Sequence, residues 1–398
     1  MRRRDFLVRA VGACSAGAFC RAEQAAAVEH SQELAEHRLK DYFTLQVKLN
    51  WPRQVGKNSR GGVHGTSARP TIVQVTTDQG ASGWGASRGN PKTVAATMAK
   101  LKGKRIDEVF DPTIGITTTD AAPLDFALHD LAGVILNQPV YKMLGAAGPL
   151  ATSCYSGMIY FDDLEPPERP AGIQQVLKNC QADIDRGYRQ LKVKIGRGNK
   201  WMPKVPGLRR DIEVTREIAR RFPDVEILVD GNDGFTCDEL IQYLEGIGEV
   251  KLFWIEEPFR ETPDDYARLR QWLQKNKRQT LLADGEAKPD WKVLDQLFKD
   301  KLLDVQLVDI VGYGFTPWRK LLKDLNRRGV LSSPHAWGHL MKTHYIAHLA
   351  AGLGGVVTIE GVTCTSDDVD FGRYKLAEGK LVVSDEPGFG MKLTKKLR

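Results

Sequence analysis

Between residues 151 and 360 the chain alternates short, almost wholly apolar runs with longer stretches in which apolar residues recur every three or four positions. The runs read CYSGM, LKVKI, EILVD, LFWIE, LLADGE, DVQLVD, LSSPH and VVTIE. Amphipathic stretches at 170–187, 209–222, 237–247, 263–276, 290–300, 316–328 and 339–352 separate them and read as helices. Apolar strands joined by helices of this kind form a parallel sheet with crossover connections. Eight such strands close a barrel, so the pattern predicts an α/β fold with a TIM-type barrel over 151–360.

The preceding segment has a different rhythm. YFTLQVKLN, then PTIVQVTTD with near period-two alternation, a turn at Asp78-Gln79-Gly80 and ASGWG read as a β-meander. Residues 52–69 read as a loop rich in Gly, Arg and Ser, and 91–110 and 121–145 as helices, the second with Leu124, Leu128, Leu131 and Ile135 at helical spacing. These elements predict a small α+β domain over 41–150, preceded by a polar, helix-like lead-in at 28–40. Residues 361–398 leave the strand–helix rhythm, with a hairpin-like YKLAEGKLVVS and a Pro-Gly-Phe-Gly turn, and are expected to return to the first domain.

Composition and charge add to this. At 42% hydrophobic and 27% charged, the 398 residues belong to an ordinary globular chain. The formal charge of +7 is partly carried by Arg2, Arg3, Arg4, Arg9 and Arg21. No basic stripe with interleaved aromatics follows, so no nucleic-acid partner is expected, and no later apolar run reaches membrane-spanning length. Arg3-Arg4-Asp5-Phe6-Leu7, the apolar stretch to Cys20 and Ala25-Ala26-Ala27 occur in the order of a twin-arginine export signal. Residues 1–27 are therefore expected to be a signal peptide and the protein to be exported, to the periplasm; the alternative is a disordered basic tail on a cytoplasmic protein. Cys154, Cys180, Cys237 and Cys364 lack metal-site spacing and read as buried thiols.

The chemistry lies at the ends of the apolar runs. They deliver Lys192 and Lys194, Asp230, Glu256, Glu286, Asp309, His335 and Glu360, each about one strand, one helix and two loops from the next. The C-terminal tips of barrel strands are where such enzymes assemble their sites. Three carboxylates on consecutive strands would raise one another's pKa unless a hard divalent cation shared them, and all-oxygen ligation suits Mg²⁺. Lys192 and Lys194 alternate onto one face, which inside a barrel is the interior, where a lysine can serve as a base. A histidine bonded to an aspartate is a general acid or base, which fits His335 with Asp309. His339, His344 and His348 read as helix-face residues, since no HExxH spacing occurs.

Seven motifs carry a family resemblance: KVK at 192–194, VDGN at 229–232, WIEEP at 254–258, DGE at 284–286, Asp309 before GYGF, SPHAWG at 333–338 and IEG at 359–361. With TTDQGASGWG and ALHDLAG…PVYKMLG in the first domain, the chain from 41 to 398 resembles the enolase superfamily, in its mandelate racemase-like group. The resemblance implies a (β/α)7β barrel and an N-terminal α+β capping domain completed by the C-terminal segment. It implies one Mg²⁺ on Asp230, Glu256 and Glu286, choosing Glu256 over Glu257 and Glu286 over Asp284. It implies a small carboxylate substrate, Lys194 as the base for the proton α to the carboxylate, and Lys192 assisting that carboxylate, the general pattern of this superfamily. His335, paired with Asp309, would act from the opposite face, Glu360 would bond the intermediate's carboxylate oxygen, and Asn232 would join Lys192 and Glu360 in substrate binding. Self-association is common among relatives, so a homo-oligomer is expected. The chain departs from the family at Ala86, where a glutamate often follows GWG, and in the long stretch GRGNKWMPKVPGLRRD after the second barrel strand.

Two outcomes share these parts. If His335 protonates a leaving β-hydroxyl, the enzyme is a lyase that dehydrates an aldonate or aldarate to a 2-keto-3-deoxy acid. If it returns a proton to the α-carbon, or closes a ring, the enzyme is a racemase, epimerase or cycloisomerase. Dehydration is the preferred expectation, and a barrel that only binds acid sugars is the remote one. The segment 52–69, with Arg53, Lys57, Arg60, His64 and Arg69, and the loop around Tyr155–Asp163 are expected to choose the substrate.

Overall fold

The computed structural model describes residues 32–394, so the expected signal peptide at 1–27 lies outside the described residues. The first domain begins with strand β1 (Leu39–Gln46), followed by β2 (Leu49–Val55), β3 (Gly65–Ala68), β4 (Thr71–Thr77) and β5 (Ser82–Ala86). β1, β4 and β5 form an antiparallel sheet; β2 and β3 form a separate hairpin. Helices α1 (Pro91–Leu101) and α2 (Asp125–Ile135) follow, and Gly83 and Gly85 of β5 pack so closely on α2 that a Cβ would meet Leu131 and Phe126.

Three expectations change here. The first strand starts at Leu39, inside the expected polar lead-in, because Leu39 is buried and Arg38 bridges Arg105. The expected loop at 52–69 contains most of the β2–β3 hairpin, pinned by buried Trp51 and Val55. The expected helix 91–110 stops at Leu101, where Gly103 takes a left-handed φ of 83°, and 121–145 is interrupted at Asn137 and Pro139.

The barrel strands are β6 (Ala151–Ile159), β7 (Gln190–Lys194), β8 (Glu226–Asp230), β9 (Leu252–Glu256), β10 (Leu281–Asp284), β11 (Val305–Gln306), β12 (Leu331–Ser332) and β13 (Ile359–Gly361). Helices α3 (Ile173–Asp185), α4 (Lys204–Arg221), α5 (Cys237–Gly246), α6 (Pro263–Lys275), α7 (Trp291–Lys299), α8 (Phe315–Arg328) and α9 (Leu340–Leu353) connect them, within a few residues of the sequence expectation. Neighbouring barrel strands pair in parallel from β6 to β12. β13 pairs with β6, and the bridge Ser332–Val356 joins β12 to the segment before β13, so the sheet closes. Helix starts match local chemistry: Thr236 and Glu239 form a capping box on α5, and Thr262 caps α6 ahead of Pro263. α8 buries Phe315, Trp318, Leu322 and Leu325 on one stripe, each worth roughly 1.5–3 kcal/mol of transfer free energy. Tyr155, Leu228, Trp254, Ala283, Val305 and Leu307 fill the barrel interior, so the barrel is a plugged core with usable space at its ends.

The C-terminal segment divides between the two bodies. β14 (Lys375–Ala377) and β15 (Lys380–Val382) form a hairpin that pairs antiparallel with the start of β6, on the barrel sheet rather than the first domain. The turn beyond it reaches the first domain: Phe389 N donates to Asp130 at 2.7 Å, and Trp84 Nε1 donates to the Met391 carbonyl at 3.2 Å. Cys154, Cys180, Cys237 and Cys364 are free and buried. No described helix is long and apolar enough to cross a membrane.

Candidate active site

Parallel pairing puts strand tips side by side. Lys194 pairs with Asp230 and Asp230 with Glu256 in adjacent register, so these three side chains form one layer at the C-terminal mouth. Glu286 lies two residues past the end of β10, beyond Gly285, whose φ of 93° redirects the chain. Asp284 therefore serves elsewhere: it accepts from the Tyr266 hydroxyl of α6 and, at 2.6 Å, from Gly285 N. The ligand atoms of Asp230, Glu256 and Glu286 lie within 4.8 Å of one another and could hold a metal ion. Two buried oxygens in this group, Glu256 Oε2 and Glu286 Oε2, have no hydrogen-bond partner. A dication fits this donor set, because it satisfies orphaned acceptors and relieves like-charge repulsion together.

Both lysines are buried and lie on the Asp230–Glu256 side. Lys192 Nζ is 2.6 Å from Glu256, 3.0 Å from Glu360 and 3.3 Å from Asp230. Lys194 Nζ donates to Asp230 and sits 5.3 Å from the Tyr160 ring centroid. Burial alone would lower the Lys192 pKa, but Glu256 and Glu360 raise it well above the usual lysine value.

His335 lies on the Glu286 side. Its Nδ1 is 2.9 Å from Asp309 Oδ2 and its Nε2 is 3.0 Å from Glu286 Oε1. Burial would lower its pKa, and the carboxylates of Glu286, Glu360 and Asp309 instead raise it to about 10. Glu286 in turn, against its burial, is held by His335 at about 2. Burial also works against ionised Asp309, but His335 and Lys342 hold it well below the usual carboxylate range. Asp230 is held low by the two lysines against its burial. Glu256 moves the other way: burial, with repulsion from Asp230 and Glu286 and against Lys192, pushes it well above the usual range. A protonated Glu256 at 2.6 Å from a charged Lys192 is a conflict between neighbours. Glu256 is the member of the trio that takes the proton, since three carboxylates without a cation must share one. Glu360 Oε2 accepts from Ala336 N at 2.6 Å and Trp337 N at 2.9 Å, which aims its other oxygen at Lys192.

The structure thus brings together Lys192, Lys194, Asp230, Glu256, Glu286, Asp309, His335 and Glu360. Asn232, expected to contact substrate, lies beside the carboxylates with its buried Oδ1 unpartnered. Its backbone N donates to Asp230 at 2.9 Å and its side-chain nitrogen to Glu257 at 3.3 Å, so it braces the carboxylates. Three of the basic residues at 52–69 are committed to the barrel: Arg53 to Asp183, Lys57 to Glu165, Arg60 to Asp233. At Ala86, a backbone N–H to the Tyr345 hydroxyl at 3.0 Å links cap and barrel without a side chain. The long stretch after β7 grips the β2–β3 hairpin, with Trp201 Nε1 donating to the Asn58 carbonyl at 2.6 Å and Asn199 Nδ2 to the Ser59 carbonyl at 3.1 Å.

Sequence reading missed Lys342, whose Nζ lies 2.5 Å from the same Asp309 oxygen that His335 uses. It sits on α9, outside the strand-tip pattern, and only its distance from His335 along the chain could have suggested it. His339 and His348 are buried and driven down to about 3 by burial, as befits core histidines. A cavity of about 910 Å³ opens at the other end of the barrel, lined by Pro223–Ile227, Lys251–Phe253 and Asn276–Leu281, far from these groups. Asp224, Glu226, Glu249, Lys251, Lys277 and Arg278 are among its lining, but barrel enzymes work at the C-terminal end.

Fold and site define a class: barrel enzymes with acid–base groups on two sides of a carboxylate cluster able to hold a cation. The enolase C-terminal domain-like family matches residues 175–397, more than half of the chain, and the chain belongs to it, as an enzyme of the mandelate racemase/enolase superfamily. It is similar to the L-talarate/galactarate dehydratase of Salmonella typhimurium, 26% identical over 71% of this chain and 65% of that protein. It is also similar to the D-galactarolactone cycloisomerase of Agrobacterium fabrum, 24% identical over 67% of this chain and 71% of that one. A galacturonate dehydratase from Geobacillus sp., complexed with D-galacturonate and 5-keto-4-deoxy-D-galacturonate, superposes with a TM-score of 0.82 at 28% identity, covering 90% of this chain and 95% of that one. A mandelate racemase/muconate lactonizing protein from Geobacillus sp. Y412MC10, complexed with magnesium and tartrate, gives 0.84 at 27%, covering 90% and 93%.

Proposed function

We propose that this enzyme dehydrates a sugar acid to the corresponding keto-deoxy acid. The ordering of the site carries proton abstraction beside a carboxylate, and the dehydratase relatives favour loss of water as the second step. Lysines touch one end of the carboxylate trio, through Asp230, and His335 touches the other, through Glu286. Asp230, Glu256 and Glu286 would hold Mg²⁺, which when bound neutralises the substrate carboxylate and stabilises charge developing on it. Lys194, as its neutral amine, takes the α-proton and becomes an ammonium facing the Tyr160 ring, whose centroid is 5.3 Å away. Lys192, fixed by Glu256 and Glu360, keeps its proton and presents a positive charge to the substrate carboxylate. His335 carries a proton, is oriented by Asp309, and delivers it to the β-hydroxyl, which leaves as water. The C–H and C–O bonds break, one water departs, and the enol tautomerises to the ketone, so no oxidant is needed.

Dehydratase relatives and substrate-bound structural neighbours support this outcome. The cycloisomerase relative supports the second reading, in which the proton returns to carbon. A panel of aldonates, aldarates and uronates, assayed with Mg²⁺ for keto-acid formation, tests the proposal; α-proton exchange in D₂O without keto acid would refute dehydration and favour isomerisation. We further infer export by the twin-arginine route from the Arg3-Arg4 motif, tested by cell fractionation, and self-association, tested by sedimentation.

A further inference from the structure

We propose that Trp51, His64, Tyr160 and Trp337 form a platform that binds the ring of a cyclic hexuronate, so that the enzyme selects a ring-closed sugar acid over open-chain aldonates and aldarates. The proposal rests on the sugar-acid reading above and names the substrate class within it.

The four rings come from separate elements: Trp51 from β2, His64 from just before β3, Tyr160 from the end of β6, and Trp337 from the β12–α9 loop. Trp51 and Trp337 stack with centroids 5.2 Å apart, and Tyr160 lies 5.0 Å from Trp337. His64 stands edge-on to both, 4.9 Å from Tyr160 and 5.6 Å from Trp337. The group adjoins the chemistry directly. Lys194 lies over Tyr160, and the backbone N of Trp337 bonds Glu360. Trp51 and Tyr160 are buried as supports, whereas His64 and Trp337 are half-buried and present surface. The supports are fixed, with Trp51 Nε1 donating to the Gly338 carbonyl at 3.3 Å.

A pyranose offers one face of C–H bonds and a rim of hydroxyls. An aromatic face, electron-rich at its centre, complements the C–H face. An open-chain sugar acid carries a hydroxyl on nearly every carbon and rotates freely, so it shows no fixed apolar face and costs more to order. The rim needs polar groups, and His64 supplies one. Its Nδ1 is 2.8 Å from the Gly56 carbonyl, which only accepts, so Nδ1 carries the proton and Nε2 has a free lone pair for a sugar hydroxyl. Burial lowers the His64 pKa and keeps the ring neutral.

Charge argues in the same direction. The second carboxylate of an aldarate would need a cation on this wall. Arg53 is bidentate on Asp183 at 2.6 and 2.7 Å, Lys57 is 2.6 Å from Glu165, and Lys342, 3.0 Å from the Trp337 carbonyl, is 2.5 Å from Asp309, so these cations are already paired. In a hexuronate the proton α to the carboxylate and the hydroxyl β to it both sit on ring carbons. The ring can therefore lie on the platform while Lys194 and His335 act at one edge; loss of water leaves a cyclic enol ether, whose hemiacetal C1–O bond then opens to an aldehyde and the enol that tautomerises to the ketone.

The test uses full-length, Mg²⁺-loaded protein in a Lys194→Met background, which blocks turnover. Calorimetry gives dissociation constants for a hexuronate and for the aldonate of equal chain length, with and without Trp337→Leu or His64→Phe. Loss of the indole should weaken the hexuronate by roughly tenfold and the aldonate by less than about threefold. His64→Phe keeps a flat ring but removes the acceptor and should weaken the hexuronate selectively by about three- to tenfold. If Trp337→Leu does not fold, His64→Phe carries the comparison. Equal losses for both ligands, no loss in either variant, no binding of the hexuronate, or tighter binding of the aldonate would overturn the platform. Failure of the dehydratase reading looks different: the hexuronate would bind with this aromatic dependence, yet protein with Lys194 intact would form no keto acid from it.

Discussion

Glu256→Gln separates a carboxylate that serves a cation from one that serves the fold. Glu256 is 1% exposed, 2.6 Å from Lys192, and clustered with Asp230 and Glu286. If it were simply the partner of Lys192, removing its charge would cost about 3–5 kcal/mol, the usual result of orphaning one member of a buried pair. The geometry argues otherwise. Lys192 keeps Glu360 at 3.0 Å and Asp230 at 3.3 Å, and burial, with repulsion within the trio, already pushes Glu256 toward its neutral form without a cation. Glutamine has nearly the shape of that neutral form. The metal-free variant should therefore unfold within about 1 kcal/mol of wild type, or roughly 2 °C for a chain of this size. With Mg²⁺ the two should diverge: wild type gains about 2.7 kcal/mol at a hundredfold excess over the dissociation constant, and the variant gains little. The raised pKa also carries a sign. Its contribution to the metal-free wild type is complete below the ordinary value of 4.5 and is lost as pH rises toward the folded value; glutamine should flatten that slope. Thermal melts with EDTA and with Mg²⁺ measure all three quantities. A loss of 3 kcal/mol or more in the metal-free variant, or an undiminished Mg²⁺ shift, would refute the reasoning.

Lys194→Met should slow α-proton exchange by about 10²–10⁴, the usual share of a general base, while circular dichroism stays native. His335→Asn should retain exchange of the α-proton in D₂O but lose keto-acid formation; equal loss of both would mean that His335 does not act at the second step. Gly285→Ala should cost on the order of 1–3 kcal/mol and weaken Mg²⁺ binding, because φ is 93° and an added Cβ would come within 3.0 Å of the Gln306 amide. Metal-free protein should lose stability as pH rises from the ordinary histidine value of 6.5 to about 10, since His335 is raised and its contribution is complete only below that window. Melting temperatures of His335→Asn over the same range should fall less steeply.

The strand-tip residues were legible because parallel pairing converts an alternating pattern into geometry. Once LKVKI, EILVD and LFWIE are neighbouring strands, Lys194, Asp230 and Glu256 must share a layer. Choosing between Glu286 and Asp284 needed the resemblance, and the structure supplies the cause: Gly285 turns the chain, and Tyr266 claims Asp284. Lys342 was not legible, since helix α9 carries no mark of which side chain will reach Asp309. The 52–69 segment read as a loop because its strands lack a regular alternation, being held by contacts with residues far along the chain.

The sequence by itself determined the barrel, the order of the chemical groups around its mouth and the acid–base types available. Those follow from periodicity and from residues a few positions apart, which local physics connects. Only the tertiary structure decided which basic side chains of the hairpin are spent on ion pairs and where Asn232 points. It alone gathered Trp51, His64, Tyr160 and Trp337 beside Lys194. These are contacts between elements remote in the chain, set by how two packed bodies meet, and no local pattern encodes them.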